Sequence, residues 1–258
     1  MKLRIPCHIY VQKLFAELVE IVKHDVCDCI ALSGGIDTTA VLLAAVSAGV
    51  KPRGYVAVYR EGLPKDLAYV VHLSSVLNIY VEYLFIDRSS LSSVVEKVVQ
   101  CIGRENLDSH RDGGCIELRN DVVFYTVLSR AKEDGCRCIY TGTGGDEFFA
   151  GYGFMLRLTE VELDKAIETY TYQGRFPELS IARCVGVKVV APFIHSSVVE
   201  LARKIPVECL RSEKMMGKEV LREMIVERGF YGIGYRAKTP AEEGAGTKAF
   251  CRSMYDET

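Results

Sequence analysis

The residues best suited to chemistry are Ser33-Gly34-Gly35-Ile36-Asp37-Thr38-Thr39, where a short apolar run over residues 26–32 meets two glycines, an acid and two hydroxyls. Glycines let backbone N–H groups close on an anion, and a helix starting beside Asp37 turns its positive end to the same point. That combination is a phosphate cradle. An acid directly after the glycines suggests Mg²⁺ carried with the phosphates, because hard cations take carboxylate oxygens. A second segment of similar make, Thr141-Gly142-Thr143-Gly144-Gly145-Asp146-Glu147, follows another β-rich run over residues 136–141. Neither Gly-x-x-x-x-Gly-Lys-Ser/Thr nor Gly-x-Gly-x-x-Gly occurs, so a γ-phosphate P-loop and a dinucleotide site are unsupported.

The elements that must position these turns alternate between the two periodicities. Strands are expected at residues 26–32, 54–59, 79–86, 136–141 and 187–191. Helices are expected at 38–48, 64–78 (Leu67, Val70, Val71 and Leu77 on one face), 90–102 and 120–134. Leu91, Val94, Val95, Val98, Val99 and Ile102 give the clearest amphipathic pattern. Thr159-Glu160-Val161-Glu162 has the form of a capping box opening a helix to about residue 172, and residues 196–204 and 218–228 read as further helices. Residues 103–115 read as a loop, and residues 229–246, with five glycines, as a mobile one. The expectation is an α/β fold, a doubly wound parallel five-stranded sheet with a helical C-terminal lobe. One domain is expected over 1–258, its nucleotide-binding core at about 20–195 and its lobe and mobile loop at about 196–258.

Composition narrows the partners. With 49% hydrophobic residues, 32 basic against 34 acidic residues and a net charge of −2, the chain offers a large core and no electrostatic footprint for nucleic acid. No apolar signal core or spanning segment is visible, so a cytoplasmic protein without a membrane partner is expected. Ten cysteines occur without a Cys-x-x-Cys pair, and His24, Cys27 and Cys29 form a candidate metal group beside the reading of buried or bonded thiols.

Ser-Gly-Gly-x-Asp-Thr after a first strand resembles the signature of the ATP pyrophosphatase (PP-loop) superfamily, with its adenine nucleotide α-hydrolase-like fold. Thr141 to Tyr152 resembles the Gly-x-Gly-Gly-Asp-Glu-Leu-Phe-Gly-Gly-Tyr stretch of the synthetase domain of asparagine and β-lactam synthetases. Further likenesses follow in the same order: Val190-Ala191-Pro192-Phe193-Ile194, Gly217-Lys218-Glu219-Val220-Leu221-Arg222 and Tyr235-Arg236-Ala237-Lys238. The chain departs at Val189 and His195, which stand where the family has Arg and Asp, and no N-terminal glutaminase domain is seen. Ile116 to Asp121 also resembles an Arg-Asn element of deazaguanine nitrile synthetases.

The resemblance implies an AMP-forming carbon-nitrogen ligase using ATP and Mg²⁺. It would adenylate a small-molecule carboxylate such as aspartate and form an amide with free ammonia, an amine, or ammonia from a separate glutaminase subunit. A PP-loop enzyme of deazaguanine or tRNA modification and a non-catalytic nucleotide-binding protein are the alternatives. By the resemblance, Ser33, Gly34, Gly35, Asp37 and Thr38 hold pyrophosphate with Gly142 and Gly144, and Val58 frames adenine. Asp37 and Asp146 hold Mg²⁺, Lys238 faces the transition state, and Glu117, placed just before a helix, assists the amine. The residue types alone also admit a capping role for Asp37 or Asp146, a core role for Val58 and a solvated Lys238. The family's sheet order makes the first and fourth strands neighbours. Cys27 stands six residues before Ser33 and Cys136 six before Gly142, so Cys27 is expected level with Cys136, and Cys29 with Cys138. Strands about 4.8 Å apart permit a disulfide there, a bond that inside cells points mainly to hyperthermophiles.

Overall fold

A computed structural model describes residues 5–108, 114–212 and 216–250. Its strands are β1 (Cys29–Ala31), β2 (Arg53–Tyr59), β3 (Val81–Ile86), β4 (Cys138–Tyr140) and β5 (Lys188–Val190). Between and after them run α1 (Ile5–His24), α2 (Ile36–Ser47), α3 (Leu67–Leu77), α4 (Arg88–Ile102), α5 (Arg104–Asp108), α6 (Cys115–Glu133) and α7 (Gly145–Phe148). The later helices are α8 (Glu160–Gln173), α9 (Pro177–Val185), α10 (Ser196–Ala202), α11 (Val207–Leu210), α12 (Glu219–Val226), α13 (Tyr231–Gly234) and α14 (Ala241–Gly244).

All pairings within the sheet are parallel and the order is β3-β2-β1-β4-β5. The expected five-stranded doubly wound sheet is therefore present. Strand order reverses beside β1, and the crevice at that reversal, outside the carboxyl ends of β1 and β4, is where open α/β sheets bind ligands. Both glycine turns leave from those ends.

Alternation along the strands makes two cores. Val56, Val58 and Tyr140 pack with α1, α2 and α12 on one face, while Tyr55, Ala57, Tyr59 and Ile139 pack with α4, α6 and α9 on the other. Each fully buried aliphatic side chain, such as Leu14, Leu42 or Leu73, contributes about 1.5–3 kcal/mol of transfer energy. Side-chain caps fix the starts of α4 and α8: Asp87 accepts from the Ser90 N–H at 2.9 Å, and Thr159 with Glu162 forms the expected capping box.

Several expectations are corrected. Helix α1 is not among the expected helices, yet Val11, Leu14, Leu18, Ile21 and Val22 are buried along one stripe. Helix α9 is a second addition; Pro177 at its first position and left-handed Gly186 at its end delimit it. In α3, Val71 is 50% exposed and Leu73 is buried, because the buried stripe follows Val70 rather than Leu67 and Val71. Helix α6 begins five residues early, after left-handed Gly114, so Glu117 lies in its first turn instead of before it. Part of the expected 103–115 loop is α5, and residues 109–113 lie outside the described set. The glycine-rich stretch 229–246 contains α13 and α14 around a short loop that carries Lys238.

The cysteines bond across the expected pairs rather than along them, as Cys27–Cys138 (Cα–Cα 4.9 Å) and Cys29–Cys136 (6.2 Å). Cys29 stands opposite Ile139, one residue beyond the spacing counted from the two turns. That shift puts Cys29 and Cys138 on opposite faces of the sheet, each in a different core, so they cannot join. Cys7–Cys209 ties α1 to α11 and Cys101–Cys184 ties α4 to α9. The metal reading of His24, Cys27 and Cys29 fails because both thiols are disulfide-bonded and His24 is exposed against Asp25.

Candidate active site

Ser33 to Thr38 folds back on itself where β1 ends. The Ser33 N–H donates to Thr38 Oγ1 (3.3 Å), and the Gly35 N–H donates to Ser33 Oγ (3.2 Å). Gly35 begins α2 without a side-chain cap, which leaves the first N–H groups of that helix for a ligand. Gly34 has φ +69°, and a Cβ there would meet Tyr69 Cβ at 2.9 Å. Its carbonyl accepts from Arg236 Nη1 (2.9 Å), and Arg236 itself lies 3.9 Å over the Tyr69 ring.

The second turn comes up against the first. Asp37 and Asp146 are joined by one ammonium, Lys218 Nζ, which is 2.5 Å from Asp37 Oδ2 and 2.7 Å from Asp146 Oδ1. Lys218 is 5% exposed and adopts φ 62°, ψ 32° at the start of α12. Lys238 Nζ reaches the same Asp146 Oδ1 at 2.7 Å and the Gly151 carbonyl at 3.0 Å, 4.7 Å from the Tyr152 ring centre. This packing needs bare backbone: a Cβ on Gly151 would overlap both Asp146 Oδ1 and Lys218 Cε.

The charges follow from these contacts. Burial opposes ionisation of Asp146, yet Lys218 and Lys238 outweigh it and hold the carboxyl at about 2. Burial raises Asp37 against the pull of Lys218, and Asp37 Oδ1 is left with no hydrogen-bond partner. Burial likewise disfavours a charged Lys218, but the two carboxylates overcome it and raise its pKa.

A cavity of about 750 Å³ opens between the turns, α6 and the C-terminal helices. Ser33, Gly35, Asp37, Thr38, Val58, Glu117, Gly142, Gly144, Asp146 and Lys238 all line it. Of the residues expected from sequence, Gly34 alone does not; it packs on Tyr69 and shapes the turn. Lys218, Arg222, Asp121 and Glu178 also line the cavity, and the sequence pattern assigns none of them a role. The Gly217-Lys218 likeness is a signal for the first. Asp121 closes the Ile116–Asp121 likeness, but nothing local marks Glu178, which arrives on α9, a helix absent from the expected set.

Sequence comparison decides the relationship: residues 11–180 match the sequence model of the asparagine synthase family. The chain belongs to the asparagine synthase family. A curated relative, "Putative asparagine synthetase [glutamine-hydrolyzing] 1" of Methanocaldococcus jannaschii, is 28% identical over 197 residues, covering 71% of this chain. The chain spans 34% of that relative's length. A solved structure of NMN synthetase from Francisella tularensis covers 98% of this chain and 96% of its own at 13% identity, with a TM-score of 0.42. Set against the asparagine synthase pattern, Ala150 stands at φ 55° where the family stretch has glycine. His195 keeps a local bond to Ser197 (2.8 Å) at the start of α10. Among the described residues no helix is long and apolar enough to cross a membrane.

Proposed function

We propose that this asparagine synthase family member is an AMP-forming ATP-dependent ligase: it adenylates a carboxylate and passes the acyl group to a nitrogen nucleophile. The observation that carries this reading is the meeting of Asp37 and Asp146, from two strand-end turns, across Lys218, with Lys238 on the same carboxylate. A carboxylate oxygen attacks the α-phosphorus, the bond to the β-phosphate oxygen breaks, and pyrophosphate leaves toward Ser33, Gly35, Thr38 and the uncapped start of α2. Lys238 and Lys218 stand ready for the negative charge that grows on the leaving group, which is mainly electrostatic catalysis. Nitrogen then attacks the acyl carbon, the acyl-phosphate C–O bond breaks, AMP departs, and a carboxylate such as Glu117 takes the proton.

Asp37 and Asp146 are the residues that would hold Mg²⁺. Two carboxylates plus phosphate oxygens make a donor set it accepts, and the unpartnered Asp37 Oδ1 is an open ligand. Among the described residues no group of three His, Cys, Asp or Glu side chains could hold a metal, so the nucleotide phosphates would have to supply the remaining ligands. When bound, Mg²⁺ neutralises phosphate charge.

Aspartate is the first carboxylate to try, with ammonia, an amine or a glutaminase subunit as nitrogen source, and the cytoplasm is the compartment that supplies ATP. The test is pyrophosphate release from ATP across a panel of amino acids, deazapurine carboxylic acids and tRNA. Release with an amino acid supports the ligase. Release only with tRNA or a deazapurine transfers the chain to nucleoside modification, and phosphate without pyrophosphate rejects the reaction class.

A further inference from the structure

Away from the phosphate cradle, the cavity has a second polar wall made of acids. Glu117 and Asp121 are four residues apart on α6 and so share a helix face, and Glu178 comes in from the first turn of α9. Asp121 is 1% exposed, and its Oδ2 is buried without a hydrogen-bond partner; the neighbouring Asn120 Oδ1 is in the same condition. Buried acceptors left unsatisfied cost about 1–3 kcal/mol each, and more when charged, so each calls for a water, an ion or a ligand donor. Among the described residues, the basic side chains that line the cavity are bonded to partners other than Asp121 and Glu178. Lys218 and Lys238 hold Asp146, Arg222 donates to the Gly217, Gly234 and Arg236 carbonyls, Arg236 to Gly34, and Arg175 Nη2 to Asn106 Oδ1.

We propose that Asp121, with Glu117 and Glu178, receives the ammonium end of an alkylamine, so that the nitrogen-bearing substrate is an organic primary amine with a hydrocarbon stem rather than free ammonia. An ammonium brings three donors and no acceptor, which answers two orphaned acceptors and a carboxylate wall at once. The stem has its own surface, because Val123, Phe124, Val127 and Phe176 line the same cavity. A bare divalent cation fits less well: these acids do not make a metal group among the described residues. Burial, then the charges of Glu117 and Glu178, raise Asp121 to about 8, and a bound ammonium would oppose both causes. Through Thr143, whose hydroxyl bonds Glu178 and lies 2.8 Å from Thr141 Oγ1, this wall joins the turn that carries Asp146.

This inference rests on the ligase reading only for the statement that the amine is a substrate; the binding itself is tested without nucleotide. The full chain is titrated calorimetrically with n-butylammonium chloride, ammonium chloride and MgCl₂, beside the Asp121→Asn and Glu178→Gln variants. The expected result is saturable butylammonium binding, tighter than ammonium and not displaced by MgCl₂, and weakened about tenfold or more in Asp121→Asn. Glu178→Gln, tested separately, is expected to weaken it in the same direction and keeps the test open if the first variant does not fold. Binding unchanged in both variants, no binding to wild type, ammonium as tight as butylammonium, or displacement by MgCl₂ each overturns the proposal. Amine binding without pyrophosphate release leaves it standing and removes the ligase reading; pyrophosphate release with an amino acid but no amine binding does the reverse.

Discussion

Lys218 Nζ lies 2.5 Å from Asp37 Oδ2, although 181 residues separate the two in the chain. The contact joins the start of α12 to the first turn of α2 and places a buried positive charge between two carboxylates that would otherwise repel. Breaking a buried ion pair from one side leaves the remaining charge uncompensated, which costs about 3–5 kcal/mol. Lys218→Met keeps the volume and removes the charge, so urea unfolding is expected to show a loss of that size, together with loss of pyrophosphate release. A loss below about 1 kcal/mol would show that the carboxylates do not depend on this ammonium.

Lys238 presents the opposite balance. Its side chain is 38% exposed, so its ion pair with Asp146 contributes little to stability, about 1 kcal/mol or less. An ammonium that meets charge only as pyrophosphate departs acts on the barrier instead. Lys238→Ala is expected to slow single-turnover pyrophosphate formation by roughly 10²–10³ while calorimetric ATP affinity changes little. Turnover within about threefold of wild type would make Lys238 a plain surface lysine and remove it from the proposed transition-state contacts.

Gly151→Ala tests the close approach of backbone to the paired charges. The new Cβ would overlap both Asp146 Oδ1 and Lys218 Cε, and overpacking of this kind costs about 1–3 kcal/mol. Gly153→Ala is the control, because a methyl group at that position would meet nothing within 4 Å. Thermal melting is expected to fall in the first variant and to stay near wild type in the second; equal melting temperatures would contradict the packing described.

Asp121 gives stability a pH signature. Its carboxyl titrates at about 8 in the fold and near 3.8 in the unfolded chain, so the folded state holds more protons between those values. Its contribution to stability is complete below about 3.8 and is lost as pH rises toward 8. Asp121→Asn removes that loss, and the variant is expected to gain stability over wild type at about pH 8 but not at about pH 4. A difference that is constant across the range would place the Asp121 titration outside this window.

The disulfides make a prediction about connectivity. Peptide mapping under non-reducing conditions is expected to recover Cys27 with Cys138 and Cys29 with Cys136, one bond on each face of the sheet. Recovery of Cys27 with Cys136 would mean that β4 is shifted by one residue. Replacing Cys7 and Cys209 together by Ser opens a closure of 202 residues and is expected to lower unfolding free energy by about 2–4 kcal/mol.

Read alone, the chain settles what is local. Five β-rich runs, two strand-glycine-acid turns and the stripe of α4 are legible because period, glycine placement and capping residues act within a few positions of one another. The turn residues Ser33, Asp37, Gly142 and Asp146 follow from the same short-range rules, and the family likeness supplies Lys238. Packing in three dimensions sets the rest. The one-residue register between β1 and β4 fixes which cysteine faces which core, and register depends on how two strands pack, not on how far each stands from its own turn. Lys218 becomes the bridge between Asp37 and Asp146 only because α12 docks on α2, and Glu178 joins Asp121 only because α9 lies against α6. Such contacts arise between segments tens to nearly two hundred residues apart, where no spacing in the chain encodes the distance; burial of two opposite helix faces on one twisted sheet does.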